Sequence, residues 1–520
     1  MNTLIPLPVV VPLVAAALCI VFARFRVVQR VIALSALALD VTSNCVLFAR
    51  IDDDGIGVTQ AGDWRLPIGI TLVVDRFAAI MLVTSSLMLF AVLIYAIGQG
   101  DVERRFASFH PVYMVLAAGV SASFVTGDLF NLFVAFEMML MASYVLLTLG
   151  GRPDQVRSGM SYVVISLVAS TFFIVALAMI YAATGTVNMA ELAERMPEVS
   201  SGVATGFSLL LIGVFGIKAG LFPLFFWLPD SYPTAPFAVA AVFAGLLTKV
   251  GVYAIVRTQT LLFPVDARQG TLLLVAAGLT MIVGVFGALS QDDIKRMLSF
   301  HIVSHIGYMI MGLALFTLAG VAGAVFYTVH HIVVKTALFL VAGLVERRAG
   351  TGRLSQVGGM MHTAPMIALL FALPALSIAG LPPFSGFVGK FALIDAGIGA
   401  QQWGIVVVSL AVSLLTMYVM VRIWSDVFWG ADPAADTHPV DPDVVVGSVA
   451  SAGSAVAVDV LALPATRRIA PAMWAATTAV VAITVGLMVF AGPLYDYSER
   501  AAADLLDPLY YVSAVVRGGP

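Results

Sequence analysis

Charge is scarce in this chain of 520 residues. Asp, Glu, Lys and Arg make up 11% of it, against roughly a quarter of an ordinary soluble domain. A soluble domain is therefore excluded. Cysteine is rarer still, with Cys19 and Cys45 both in apolar stretches. Two such thiols make neither a disulfide framework nor a zinc or iron–sulfur ligand set. No glycine-rich phosphate loop, nucleophile elbow or haem signature occurs. Soluble enzymology and ATP-driven transport by this chain alone are thereby set aside. No cofactor and no bound metal is expected, and the driving energy has to come from an ion gradient or a partner. The N-terminus also lacks the short basic start and small-residue cleavage site of a signal peptide, so its apolar run reads as a first membrane helix.

What the chain does have is hydrophobicity: 61% of residues are apolar, and the mean hydropathy is +1.02. The expected class is an all-α polytopic membrane protein. At about 20 apolar residues per crossing, roughly fourteen spans can be read. Their cores are near 5–22, 31–47, 77–97, 111–125, 129–149, 162–181, 207–227, 237–256, 272–289, 300–318, 320–344, 366–394, 404–428 and 473–490. Arginine and lysine collect in alternate loops: Arg24, Arg26 and Arg30; Arg104 and Arg105; Arg152 and Arg157; Lys295 and Arg296; Arg347, Arg348 and Arg353. These loops fall on one face, which the positive-inside rule makes the cytoplasm. The opposite loops hold Asp52, Asp53, Asp54 and Asp63, then Glu191, Glu194 and Glu198. Both termini are then expected outside a cell membrane. Residues 431–470 read as a weakly structured cytoplasmic loop with a surface helix near 456–463, and the tail 495–520 carries no signal.

Ala219-Gly220-Leu221-Phe222-Pro223 in span seven recurs as Ala379-Gly380-Leu381-Pro382-Pro383 in span twelve. Proline removes a backbone donor and clashes with the preceding turn, so both spans are expected to break there. The two run in opposite directions, as an inverted repeat requires, and breaks in corresponding positions point to a transport site. Chance recurrence of common membrane residues is the plain alternative.

The few charges inside spans are the strongest signal. Glu137, Lys218, Lys249, Lys335 and Lys390 each cost at least about 2.5–3.5 kcal/mol at a helix centre. Their default reading is an ion or proton pathway. Glu137 sits about mid-bilayer, where a carboxylate alone protonates and one beside a lysine stays ionised. A static ion pair that only fixes packing is the alternative. Lys218 stands one turn before the first break, and a buried lysine gives up its charge readily. Snorkelling to the interface is its alternative. Thr248 precedes Lys249 as a water ligand. His331 shares a helix face with Lys335, with His330 beside it, and His301 and His305 form another pair at i, i+4. Histidine suits proton relay. Two imidazoles without clustered carboxylates or thiols make a poor metal site, and a structural role for His301 also remains open. Lys390 lies just beyond the second break, flanked by Gly386 and Gly389. Asp230 reads as a cap of span eight or a surface pair. The hydroxyls of Ser143, Tyr144, Ser161, Tyr162 and Ser304 are candidates to bridge charges through water.

Several longer phrases resemble a known family. Phe222-Pro223-Leu224-Phe225-Phe226-Trp227-Leu228-Pro229-Asp230, Leu247-Thr248-Lys249-Val250-Gly251-Val252-Tyr253, Asp293-Ile294-Lys295-Arg296-Met297-Leu298-Ser299-Phe300 and Ser304-His305-Ile306-Gly307-Tyr308-Met309 are similar to the proton-translocating antiporter-like subunits of complex I, membrane hydrogenases and Mrp cation/proton antiporters. The likeness runs from about Asp75 to Trp429. Thr126-Gly127-Asp128-Leu129-Phe130-Asn131-Leu132-Phe133 through Glu137, and Phe300-His301-Ile302-Val303-Ser304, resemble the D-subunit branch of the Mrp antiporters. Complex I relatives typically carry histidine where this chain has Phe225 and Tyr232, a departure that argues against a complex I assignment. It also weakens the case for a histidine relay in the first half.

The resemblance implies a fourteen-helix fold with two inverted five-helix repeats and broken helices seven and twelve. Divisions at 1–105, 106–260, 261–430, 431–470 and 471–520 follow from it. It implies that Glu137 pairs with Lys218, and that Lys249, His331, Lys335 and Lys390 continue a hydrated axis; the residue chemistry above adds His301, His305, His330, Thr248, Ser143 and Ser304 as auxiliaries. It further implies exchange of Na⁺ (or Li⁺ or K⁺) for protons, inside a complex with a longer homologous A subunit and several small membrane subunits. A proton-pumping subunit of a redox complex and a static scaffold are the competing readings.

Overall fold

A computed structural model describes residues 3–64, 69–101, 103, 106–431 and 468–517. Arg104, Arg105 and the surface helix expected near 456–463 lie outside the described residues. Among the described residues, eleven helices are long and apolar enough to cross a membrane. Three shorter apolar helices bring the spans to fourteen. They are α1 (Leu7–Val21), α2 (Arg26–Asp54), α3 (Arg76–Gln99), α4 (Phe109–Val125), α5 (Leu129–Thr148), α6 (Pro153–Thr184), α7 (Ser201–Ala219), α8 (Phe237–Leu261), α9 (Gly270–Leu289), α10 (Ile294–Ala314) and α11 (Leu318–Ala349). The chain continues with α12 (Pro365–Ala379), α13 (Ser385–Gly399), α14 (Trp403–Trp424) and α15 (Pro471–Val489). The α12–α13 pair forms one broken span. A shorter helix, α16 (Ala491–Leu506), follows.

Both expected breaks are present. The α7 helix ends at Gly220, whose φ of 82° is a left-handed conformation that favours glycine. The chain resumes as the short helix Trp227–Ser231. Likewise α12 ends at Gly380 with φ 84°, and α13 starts at Ser385. Each break contains a cis peptide bond, Phe222–Pro223 and Pro382–Pro383.

The alternation of loops also stands. On the basic face Arg30 pairs with Glu103, Arg347 with Asp101 at 2.9 Å, Lys295 with Glu346 at 3.9 Å and Arg152 with the Thr234 carbonyl at 3.2 Å. Asp230 pairs with Arg296 at 3.0 Å on the same surface, settling its two readings for the surface pair. On the acidic face the Gly127 amide donates to Thr71 at 2.9 Å and the Met189 amide donates to Gly127 at 2.9 Å. That face also holds a structure outside the all-helical expectation, a β-hairpin of β1 (Gly57–Gln60) and β2 (Thr71–Val74) with Gly57 opposite Val74.

The core runs along α11, a helix of 32 residues and so about 48 Å long, and along α8; both are buried all round. The tail 495–520 departs from its blank reading. Helix α16 lies across the acidic face as a strap. Tyr497 stacks on Phe48, Tyr495 meets Phe326 edge-on, and Asp504 pairs with Arg76 at 2.9 Å. These contacts join the same ends of α2, α3 and α11.

Candidate functional site

Asp128 caps α5, accepting from the Asn131 amide at 2.8 Å. Glu137 lies about 13 Å further along, near the middle of the span. Its side chain is 26% exposed on the flank of the chain, whereas that of Lys218 is 4% exposed. Lys218 Nζ stands 4.0 Å from Glu137 Oε1. A third residue closes this gap: Lys218 donates to Ser170 Oγ at 3.0 Å and to the Ser166 carbonyl at 3.2 Å. Ser170 donates in turn to the Glu137 carboxylate. Ser166 and Ser170 are one turn apart on α6, which places both on the face it turns to α7.

A small cavity, about 10 Å³, separates Lys218 from Leu247, with Ser166 and Tyr162 in its wall. Immediately beyond, Phe243–Leu247 forms a π-turn inside α8. Such a turn loosens the backbone ladder and recurs at functional sites. Lys249 Nζ donates to the Ala244 carbonyl within it. Thr248 Oγ1 is buried and has no partner among the described residues.

Helices α8 and α11 run antiparallel. A Cβ on Gly245 would lie 2.5 Å from Thr336 Oγ1 and 3.6 Å from the Ile332 carbonyl, so glycine permits this close packing. Lys249, one turn on, is then level with His331. Both ring nitrogens of His331 are buried and unpartnered among the described residues. Its ring is 5.3 Å from that of His305, which is 4.4 Å from His301. Lys335 Nζ lies 2.7 Å from His301 Nδ1. His305 bonds the Tyr327 hydroxyl, and Tyr327 and Tyr308 rings are 5.5 Å apart. Lys390 Nζ sits over Tyr308 at 5.5 Å and donates to Ser413 Oγ and the Ala379 carbonyl, each at 3.0 Å.

Six of the residues expected to carry charge thus form one row across the middle of the spans: Glu137, Lys218, Lys249, His331, Lys335 and Lys390. His301 and His305 sit within it. His330 stands aside, bonded to Ser385 Oγ at 2.9 Å where α13 begins. Ser143 bonds the Tyr162 hydroxyl at 2.9 Å. Ser304 spends its hydroxyl on the Met281 carbonyl at 3.0 Å, tying α10 to α9. Ser161 is exposed and donates to its own helix. Sequence reasoning missed Ser170, Tyr308, Tyr327 and Ser413. The i, i+4 serines of α6 were a usable signal. It also passed over Asp40 in α2 and the buried pair Asp75–Arg257, 2.6 Å apart.

The profile described as NADH:quinone oxidoreductase/Mrp antiporter, TM, matches residues 126–416. The D subunit of a Na(+)/H(+) antiporter from Alkalihalophilus pseudofirmus is 43% identical over 519 residues, which is 99% of this chain and 100% of the relative. A chain of the Mrp complex from a Dietzia species superposes with a TM-score of 0.88 at 33% identity, covering 99% of this chain and 100% of that one. A chain of respiratory complex I from Thermus thermophilus shares the fold, with a TM-score of 0.77 at 24% identity, covering 95% and 100%. A helix break in each half, a row of buried lysines and these likenesses lead to one assignment: the chain belongs to the NADH:quinone oxidoreductase/Mrp antiporter family.

Proposed function

We propose that this chain is the proton-translocating subunit of a multisubunit antiporter that exchanges Na⁺ (or Li⁺ or K⁺) for protons in the cell membrane. It would work beside a longer homologous subunit and several small membrane subunits. Its basic face would meet the cytoplasm and both termini would lie outside. It is a transporter subunit in this reading, not an enzyme. The observation that carries it is the continuous row from Glu137 to Lys390, since five intramembrane charges are a costly arrangement for a passive scaffold.

The chemistry follows from the spacing. Ser170 couples Glu137 to Lys218. A proton taken up by Glu137 removes the negative charge that holds Lys218 protonated. Lys218 then releases its proton across the small cavity toward Lys249. Thr248 and His331 offer free hydrogen-bonding atoms on that route, and ordered water can complete such a chain. Lys335 and His301 pass a proton between Nζ and Nδ1, and the Tyr327–Tyr308 pair leads on to Lys390. His330, Ser143 and Ser304 act at the margins by holding helices in place.

The test is Na⁺-triggered ΔpH in everted vesicles from a host without its own antiporters. The complete complex is compared with one carrying Glu137→Ala. Exchange by the first and none by the second, with equal assembly, is the expected result. Acidification driven by NADH with no response to any cation would replace this reading with a redox-driven pump.

A further inference from the structure

The N-terminal helices hold a carboxylate that the row does not use. Asp40 lies midway along α2 with its side chain fully buried, and neither oxygen has a hydrogen-bond partner among the described residues. Asn44, one turn on and on the same face, is also fully buried with its Oδ1 unpartnered. Its amide nitrogen donates to the Leu82 carbonyl of α3 at 3.4 Å. Because α2 and α3 run antiparallel, that contact puts Ser86 level with Asp40. Ser85 and Ser86 are buried, and their hydroxyls donate to the Leu82 and Val83 carbonyls at 3.1 Å, leaving oxygen lone pairs free.

The opposite side is set by Gln29, whose amide donates to the Cys19 carbonyl of α1 at 2.7 Å. Counting back along the antiparallel pair puts Pro8 level with Asp40. Pro12 lies inside α1 and has no N–H, so the Pro8 carbonyl lacks its helical donor. The groups at this depth are therefore two carboxylate oxygens, an amide oxygen, a released backbone carbonyl and serine hydroxyls. Among the described residues no cationic side chain pairs with Asp40, and in α2 itself Arg30 is taken by Glu103 at the basic face. Helix α1 has none, and the one in α3, Arg76, is engaged by Asp52 and Asp504 at its outer end. His110, the one ionisable group of α4 other than tyrosine, bonds Glu103 at the basic face.

A carboxylate buried in a span stays there only if its charge is neutralised or paired. An all-oxygen set with a single negative charge and a carbonyl left without its donor by a proline inside the helix suits a hard monovalent cation. We propose that Asp40, Asn44 and the Pro8 carbonyl form a Na⁺ site in the N-terminal helices, separate from the Glu137–Lys390 row. Binding is an exchange: Na⁺ joins the Asp40 oxygens and the proton of the carboxyl leaves, with charge conserved. The choice of Na⁺ rests on the antiport reading above; the unpaired oxygens do not.

The experiment measures the Na⁺ concentration that half-saturates Na⁺-triggered ΔpH, using the assembled complex in everted vesicles. Asp40→Asn is expected to raise it at least about tenfold, and Asn44→Ala about three- to tenfold, with assembly unchanged. An assembled Asp40→Asn complex with the wild-type value overturns the site. Should Asp40→Asn fail to assemble, an unchanged value in Asn44→Ala does so instead. If the wild-type complex shows no cation-driven exchange, the antiport reading fails by itself. Retention of radioactive Na⁺ by the purified complex then decides the site, and equal retention by wild type and the assembled variant overturns it.

Discussion

Lys218 reaches Glu137 mainly through a hydroxyl. With 4.0 Å between the charges, Ser170 supplies the short contacts on both sides. Ser170→Ala is therefore expected to slow Na⁺-triggered exchange by about tenfold, the weight of a hydrogen bond to a charged group, without the complete loss expected of Glu137→Ala. Initial rates of ΔpH formation check this; an unaltered rate would show that the two charges couple without the bridge. At the next step along the row, Lys335→Arg separates a moving proton from a fixed charge. Arginine keeps the positive charge beside His301 but does not release its proton. The variant is expected to assemble and to lose exchange, whereas retained exchange would favour the static scaffold. The lysines and Glu137 were legible because a charge in an apolar run costs too much to be incidental. Ser170 and Tyr308 were not, because hydroxyls are common in membrane helices, where many only bond the preceding turn. Asp40 met the same cost rule as Glu137 but stood apart from any break or lysine.

Elements set where those residues stand. The span-twelve break brings α13 so close to α12 that a Cβ on Gly386 would lie 1.8 Å from the Ser377 carbonyl oxygen and 3.1 Å from the His330 ring. Backbone cannot yield as a flexible side chain can. Gly386→Ala is expected to destabilise the chain by at least about 1–3 kcal/mol, read as a lower melting temperature of the complex in detergent. A wild-type melting temperature would mean that the two halves of this span are free to separate. Proline and glycine made both breaks legible in advance. The π-turn before Lys249 was not, since Phe243-Ala244-Gly245-Leu246-Leu247 has nothing to distinguish it from an ordinary helical turn. It packs through Gly245 on Thr336 and Ile332 of α11, a contact remote in sequence.

At the scale of the whole molecule, the strap α16 ties α2, α3 and α11 together. Its anchor is Arg76, 2.9 Å from Asp504 and 3.3 Å from Asp52, while the Arg76 carbonyl accepts from the Tyr497 hydroxyl at 3.1 Å. Arg76→Ala is expected to cost about 1–3 kcal/mol of stability, measured as detergent melting of the assembled complex. No change would show that the strap contributes little to holding these helix ends. Alternating arginines made the two faces legible, but the strap was hidden because its contacts with α2 and α3 span more than 400 positions of sequence. The row also fixes where the membrane field acts on a moving proton. It lies near the middle of every span it crosses, so a proton passing from Lys218 to Lys390 travels sideways within the membrane. A full crossing of one charge is worth about 2.3 kcal/mol per 100 mV, yet a sideways step crosses almost none of that field. On the proposed path, electrical work falls on the approaches from the two faces, and an applied voltage should alter how protons arrive and leave far more than how they move along the row.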